Sequence, residues 1–589
     1  MPAKKIPFSA QKWLFASGLL FVILLLGLRF WAMRSLYLVG DEPNDYAIIL
    51  NDLNFFKKYF ANVLEPDQAR LPFLISIPLV ILSQNLETAV IALRHLFFIF
   101  HVLYCVISYR LIAKVSESTH AAKLYVILLL SSCYLGASSI FSVTTSDSLY
   151  LFFHIACIFY FFNTYTRYKE SGIFYNNAVL ALLLGLCSAS KLFGLFLIIS
   201  FFIFHLMSDG VNSRVLSYPS PKKMILSSLV FWGGFAVLNM APVPENSKHL
   251  IALLTSSLYL IILILLMLRS QRKNSVQCES NVFIFWAGIS LTAGIFTILF
   301  SPIYFNGQNI FKIFLWPEKW NAGMFTAKHA WYDALLVLGM KFGIISLAML
   351  LVPLTVYLVH VIRKRGAIKG SFTLLVFLIF TFHLLIISSV RFFSTWYPLA
   401  IFPFLYLPFI WMWQRGVQNH NLKLKVATVL CLLVVVCDNS YRYLKWYPYA
   451  HFDGAQYGKQ FVGWNKVGHV THDIYPVLYN YLAHETQTAR INIQAIYVPF
   501  YNQWVVRLLN SYAARQHKAV AFHFYSDPDI SKGDFNFLIS SPIYNHELDN
   551  KLQRDKRFKL VETLSLKGLN IASIWKQVKA ITPASRVLE

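Results

Sequence analysis

Two adjacent carboxylates, Asp41 and Glu42, stand in the run Leu38-Val39-Gly40-Asp41-Glu42-Pro43-Asn44-Asp45-Tyr46, just past a long apolar stretch at 13–33. A carboxylate at the lip of a helix bundle can take a proton from a hydroxyl or an amide, and a second one beside it makes it a stronger base through like charge or orients it. The competing reading is a solvated helix exit, which asks nothing of either residue. A third carboxylate, Asp147, lies in Thr145-Ser146-Asp147-Ser148-Leu149 at the opening of another apolar stretch. There it joins the same chemistry, or caps the helix that starts at Ser148, or does both.

Composition says what must position these groups. The 589 residues are 57% hydrophobic, 16% aromatic and only 13% charged, with a mean hydropathy of +0.54. Soluble domains carry roughly 25% charged residues, so this chain covers itself only if lipid replaces water over most of its surface. Disordered, collagen-like and coiled-coil readings are excluded with the soluble one. The net charge of +25, from 52 Lys and Arg against 27 Asp and Glu, fits the cytoplasmic loops of a polytopic membrane protein, and no nucleic-acid partner is expected.

Apolar stretches at 13–33, 91–113, 123–143, 149–165, 176–190, 191–207, 224–241, 249–269, 282–303, 335–360, 371–390, 396–413 and 425–440 predict about thirteen transmembrane helices. Lys114 and Lys123, Arg167 and Lys169, Arg214 with Lys222 and Lys223, Arg269 with Arg272 and Lys273, Arg363 to Lys369, and Arg415 with Lys423 and Lys425 all fall on the side of the N-terminus. That side is predicted to be cytoplasmic. The N-terminal stretch has no small-residue cleavage site and reads as a retained first span. The seven cysteines lie within or beside apolar stretches, none beyond Cys437, and form neither a disulfide framework nor a CxxC site.

The opposite side then holds a loop at about 34–90, another at about 304–334, and the tail from 441 to 589. In the first loop Ile49, Leu53, Phe56 and Phe60 recur at helical spacing opposite Asn51, Asp52, Lys57 and Lys58, as in a helix lying on the membrane. The apolar run from Leu71 to Leu82, interrupted by Pro72 and Pro78, reads as a second juxtamembrane helix. The tail mixes helical stretches (470–486, 502–516, 545–557) with β-like runs (491–499, 519–524, 535–540, 558–565, 570–576), which predicts a small extracytoplasmic α/β domain after a membrane module spanning 1–440. Carboxylates at the lip of a bundle, under amphipathic helices, suit chemistry on a lipid-linked substrate.

The ordered motifs Gly40-Asp41-Glu42 with Tyr46, Ala69-Arg70-Leu71-Pro72, and Ala92-Leu93-Arg94 resemble those of the polytopic C-type glycosyltransferases of the protein O-mannosyltransferase and lipid A aminoarabinose transferase superfamily. Weaker pieces continue the likeness: Thr145 to Leu149, Gly185 to Lys191 with Gly194, His329-Ala330-Trp331-Tyr332, and Arg391 to Pro398. No single motif is specific; order and sidedness carry the resemblance.

The resemblance implies a C-type glycosyltransferase fold in a bacterial inner membrane. The activity it implies is an inverting transfer of a sugar from a polyprenyl-phosphate donor to a lipid, glycan or protein acceptor on the extracytoplasmic side. It places the base at Asp41, with Glu42 as its orienting or tuning neighbour, and the two roles are open to exchange. A departing phosphate needs cations, for which Arg391 and Lys191, then Arg94, are the candidates, each at the external end of a span. Snorkelling to ordinary phospholipid is the alternative for each. A divalent metal is left open, since no His, Asp or Glu spacing demonstrates one, and no other cofactor is expected. His329 is open to a ligand or acid/base role, although a lone histidine in an external loop more often has neither. A Gly-rich phosphate loop is lacking, which argues against cytosolic nucleotide chemistry. Two rivals are a transporter, for which mid-membrane acids and related halves are missing, and a non-catalytic lipid or glycan assembly protein.

Overall fold

The computed structural model describes residues 20–27, 71–83, 86–132, 147–240, 278–300, 344–363, 370–389, 397–446, 490–496, 518–524, 535–540, 546–566 and 569–578, with isolated residues at 30, 135, 332–343, 479–482 and 506–513. Asp41, Glu42, His329 and Arg391 lie outside the described residues, as do the expected interfacial helix after Tyr46 and the expected span at 249–269.

Where lipid replaces water, peptide groups must bond within their own segment, and long apolar stretches therefore become helices. Among the described residues, three helices are long and apolar enough to cross a membrane: Ile91–Ser116, Ser148–Ser171 and Val282–Phe300. They belong to α2 (Leu86–Ser116), α4 (Asp147–Ser171) and α8 (Val282–Phe300). Around them pack α1 (Leu71–Leu82), α3 (Thr119–Ser131), α5 (Asn177–Ser190), α6 (Phe196–Asp209), α7 (Pro221–Met240), α9 (Ile344–Arg363) and α10 (Phe372–Ser389). Lipid gives helices no hydrophobic reason to associate, so close backbone approach through small residues does the work. At Gly185 on α5, a Cβ would stand 2.3 Å from the Phe296 Cβ and 2.9 Å from the Ala293 carbonyl oxygen of α8.

The stretch at 396–413, expected as one span, is broken. It forms two 3-10 turns, Tyr397–Ala400 and Phe402–Tyr406, and then α11 (Leu407–Gln418). Pro398, Pro403 and Pro408 follow one another every five residues, and each removes a backbone donor and crowds the preceding turn. Tyr125 on α3 donates to the Pro403 carbonyl at 3.1 Å, and Gln414 donates to the Ser116 carbonyl at 2.6 Å. α12 (Leu422–Trp446) follows and packs on α11.

Three connections that sequence reading treats as loops pair into a sheet. β1 (Ile173–Tyr175), after α4, lies parallel to β2 (Arg214–Tyr218), after α6, and β2 lies antiparallel to β3 (Cys278–Asn281), just before α8. The sheet ties together the end of the bundle that carries Lys169, Arg214 and Lys222.

Further along, β4 (Arg490–Ile496), β5 (Ala521–Phe524), β6 (Phe537–Ser540), β7 (Phe558–Leu566) and β8 (Leu569–Gln577) form a mixed sheet ordered β5-β4-β6-β8-β7. β4 is parallel to β5 and β6, whereas β8 is antiparallel to β6 and β7. The helix α13 (His546–Arg554) sets Leu552 against Phe535, Leu538, Phe558 and Trp575. Its buried Asp549 accepts from Ser540 and from Ser573 (3.0 Å), while the Trp575 indole donates to Ser540 at 2.8 Å. That carboxylate is satisfied by neighbours and reads as structural.

Candidate functional site

A small apolar cluster joins Leu71 of α1, Leu93 and Phe97 of α2, Leu149 of α4 and Ala189 of α5, with Phe300 of α8 alongside. It gathers the start of α2, the start of α4 and the end of α5 into one corner, at the opposite end of the bundle from the β1–β3 sheet. Each of these helices carries a candidate residue beside its cluster member: Arg94 next to Leu93, Asp147 at the head of α4, and Lys191 just past the end of α5. The first span reaches the same corner, because Phe30 meets His95 edge-on with ring centroids 5.1 Å apart. Asp41 follows Phe30 by eleven residues.

Lys191 is presented by a designed break in the chain. α5 ends at Ser190, Lys191 is extended (φ −159°, ψ 129°), and a 3-10 turn, Leu192–Leu195, leads into α6. The Lys191 N–H donates to the Cys187 carbonyl at 3.0 Å, and its carbonyl accepts from the Gly194 N–H at 2.9 Å. The turn folds back so closely that a Cβ at Gly194 would stand 2.6 Å from the Ser188 nitrogen and 2.7 Å from the Cys187 carbonyl carbon. Only glycine fits there without moving backbone. The half-buried Lys191 side chain then lies with its ammonium 5.8 Å from the centroid of the Tyr150 ring.

Arg94 is 1% exposed and among the largest fully buried side chains. A guanidinium that deep does not snorkel to lipid headgroups; a buried charge is held by protein groups around it. Asp147 is the first residue of α4, at the positive end of that helix's dipole. Tyr150, one turn further on, is the corner residue that reading the sequence missed. Its spacing of three from Asp147 puts both on one helix face, yet its partner Lys191 comes from another helix. Beneath it the rings continue inward, Tyr150 to His154 at 5.6 Å and His154 to His383 of α10 at 6.1 Å.

The opposite end holds a second polar assembly. Asp209, at the end of α6, receives the Lys169 ammonium and accepts from the Tyr165 hydroxyl at 3.1 Å. His205 Nε2 lies 3.3 Å from the same carboxylate, and the Trp286 indole donates to His205 Nδ1 at 3.2 Å. This assembly joins α4, α6 and α8 and presents a neutralised cation. At the corner the Arg94 guanidinium is buried within α2, and the Lys191 ammonium lies beside the Tyr150 ring. Among the described residues, no group of three His, Cys, Asp or Glu side chains is placed to hold a metal ion.

No family model matches the chain, and no curated protein matches it. Among solved structures it is similar to the crystal structure of ArnT from Cupriavidus metallidurans bound to undecaprenyl phosphate, at 11% identity and a TM-score of 0.47, over 95% of this chain and 98% of that one. The apo crystal structure of the same protein gives 11% identity and a TM-score of 0.46, over 97% and 98%.

Proposed function

We propose that this chain is a membrane glycosyltransferase that moves a sugar from a polyprenyl-phosphate donor to an acceptor on the extracytoplasmic side, with inversion. The observation that supports it is the corner, where the segments bearing Arg94, Asp147 and Lys191 converge, with Phe30 of the first span against His95 of α2. The basic loops crowd the other end, and by the positive-inside rule they mark it as cytoplasmic. The corner therefore faces the compartment in which lipid-linked sugars are consumed without nucleotides.

In the reaction the acceptor oxygen or nitrogen attacks the anomeric carbon, its bond to the phosphate oxygen breaks, and polyprenyl phosphate leaves with the electron pair. Asp41 takes the acceptor's proton and Glu42 orients or tunes it. Charge builds on the phosphate as it leaves, and Lys191 with Arg391 stabilises it. Arg94, sealed in protein, supports the corner's field from beneath. A divalent ion, if the enzyme uses one, would add a further cation at the phosphate. The 441–589 tail is proposed as an extracytoplasmic domain that selects the acceptor.

The test is to incubate purified protein with a panel of radiolabelled polyprenyl-phosphate sugars and membrane extract. One sugar should be consumed and its label should appear in a lipid, glycan or protein. Consumption of none of them, by protein shown to be folded, removes the reading.

A further inference from the structure

We propose that one end of the β4–β8 sheet is a membrane-docking surface, which holds the unit spanning 490–578 against the headgroups of anionic phospholipid. The strand register gathers that end. β4 and β5 run parallel with Arg490 level with Ala521, and β4 and β6 run parallel with Ile493 level with Phe537. The antiparallel partners follow, Phe537 opposite Lys576 and Lys576 opposite Lys559. The amino ends of β4, β5 and β6, the end of β8 and the start of β7 therefore share one border of the sheet. Arg490 and Lys518 stand on it at one side, and Lys551, Arg554, Lys556 and Lys559, from the last turn of α13 into β7, at the other, all of them exposed. Across the five strands, spaced by about 4.8 Å, that border is about 19 Å wide.

Charge and apolar surface are interleaved there. Among the described residues, the ion pair at this end joins Asp555 to Arg557, and none of the six cations belongs to it. Beside them Leu560 is 39% exposed and Val578 is 51% exposed, the latter placed by its N–H, which donates to the Arg557 carbonyl at 2.8 Å. A soluble polyanion is met by charge alone, whereas basic residues set among exposed Leu and Val match the boundary between headgroups and acyl chains. A small bound anion fits this end less well. Ligand crevices of open α/β sheets lie outside the carboxyl ends of the parallel strands, and these cations border the amino ends. The chain also brings the surface with it: helices long and apolar enough to cross a membrane precede the sheet in the same polypeptide, so lipid phosphate is met at high effective concentration.

The experiment places a coumarin-bearing amino acid at position 578 of the full-length protein in nanodiscs and reads its quenching by a headgroup spin-labelled lipid. Discs of phosphatidylcholine alone are compared with discs that also hold phosphatidylglycerol. Quenching should be stronger with phosphatidylglycerol, and the difference should vanish at about 1 M salt, where charges are screened beyond about 3 Å. Lys559→Gln should lower the docked-to-free ratio about fivefold, the contribution of one cation near an anionic surface. Arg490→Gln, at the far side of the border, should do the same, and the two together should lower it about twenty-five-fold. Both side chains are exposed, so the variants should melt with wild type.

Equal quenching in the two kinds of disc would overturn the docking surface. So would quenching left unchanged by Lys559→Gln and Arg490→Gln in protein with wild-type melting. Release of the probe by soluble polyphosphate, at a phosphate concentration equal to that of the phosphatidylglycerol, would overturn it in favour of a soluble polyanion. The result is separate from the sugar-transfer reading, which donor consumption tests.

Discussion

Lys169 and Lys191 sit at opposite ends of one helix bundle, both at the margin of a helix and both near a tyrosine ring, at 5.6 Å from Tyr165 and 5.8 Å from Tyr150. Their surroundings separate them. Lys169 meets Asp209, which also takes the Tyr165 hydroxyl and stands by His205, itself bonded to Trp286. These contacts fasten α4, α6 and α8 to one another. Lys191 lies just past the end of α5, its backbone bonded to the Cys187 carbonyl and the Gly194 N–H and its ammonium beside the Tyr150 ring at the head of α4.

The largest effect should come at Asp41, the proposed base. Asp41→Asn keeps the shape and loses the base, so single-turnover sugar transfer at saturating donor should fall about a hundred- to ten-thousandfold, with donor binding retained. Glu42→Gln should cost less; if it costs more, the two roles exchange. Near wild-type transfer by Asp41→Asn would remove the proposed base.

Next in size are the phosphate cations. Lys191→Ala and Arg391→Ala should each raise the donor KM about ten- to a hundredfold, since a charge-assisted contact contributes about 1.5–3 kcal/mol. Arg391→Lys should restore only part if the contact is bidentate. Neither substitution should lower the melting temperature of the detergent-solubilised protein, and normal donor kinetics in both would return these residues to snorkelling.

The fastening end should behave in the converse way. Asp209→Asn removes the charge that answers Lys169 and should cost about 1–3 kcal/mol of stability, read as a lower melting temperature, with donor KM unchanged. A shifted KM at constant stability would merge the two ends into one functional unit.

The smallest effect calibrates the scale. Arg557 holds the Asp555 carboxyl below the ordinary carboxylate range, chiefly through hydrogen bonds from its side chain and backbone. A depressed acid lends stability above its unfolded pKa of about 3.9 and loses it as pH falls through the folded value. Since both side chains are open to water, Arg557→Ala should change stability by no more than about 0.5 kcal/mol at neutral pH. Unfolding curves from pH 7 to pH 2 should show that difference closing in acid, and a difference that widens there would contradict the pair.

Reading the residues in order placed most apolar stretches on helices, since Leu, Ile and Phe in runs of about 20 leave the backbone no other solution in lipid. It erred at 396–413, where summed hydropathy outvoted three prolines that, spaced every five residues, turn the chain into 3-10 segments. It also gave no sign of the β1–β3 sheet: strands of three to five residues are too short for a period to show, and they exist because three distant helix ends meet. Gly194 stood out only as part of a resemblance, until the 2.6 Å approach to Ser188 supplied its reason.

By itself, then, the sequence pointed to a helical protein with long apolar segments and basic connections between them, and it singled out carboxylates and cations as candidates for sugar-phosphate chemistry. Those are properties of local composition, period and charge count. What only the tertiary structure decided is which side chains each cation meets. Tyr150 and Lys191 are forty-one residues apart, and Lys169 and Asp209 are forty apart. Whether such pairs meet depends on how α4, α5 and α6 lie against one another. The close approach of Gly185 to Phe296 and Ala293 of α8 is one such contact between distant segments, and local pattern does not encode it.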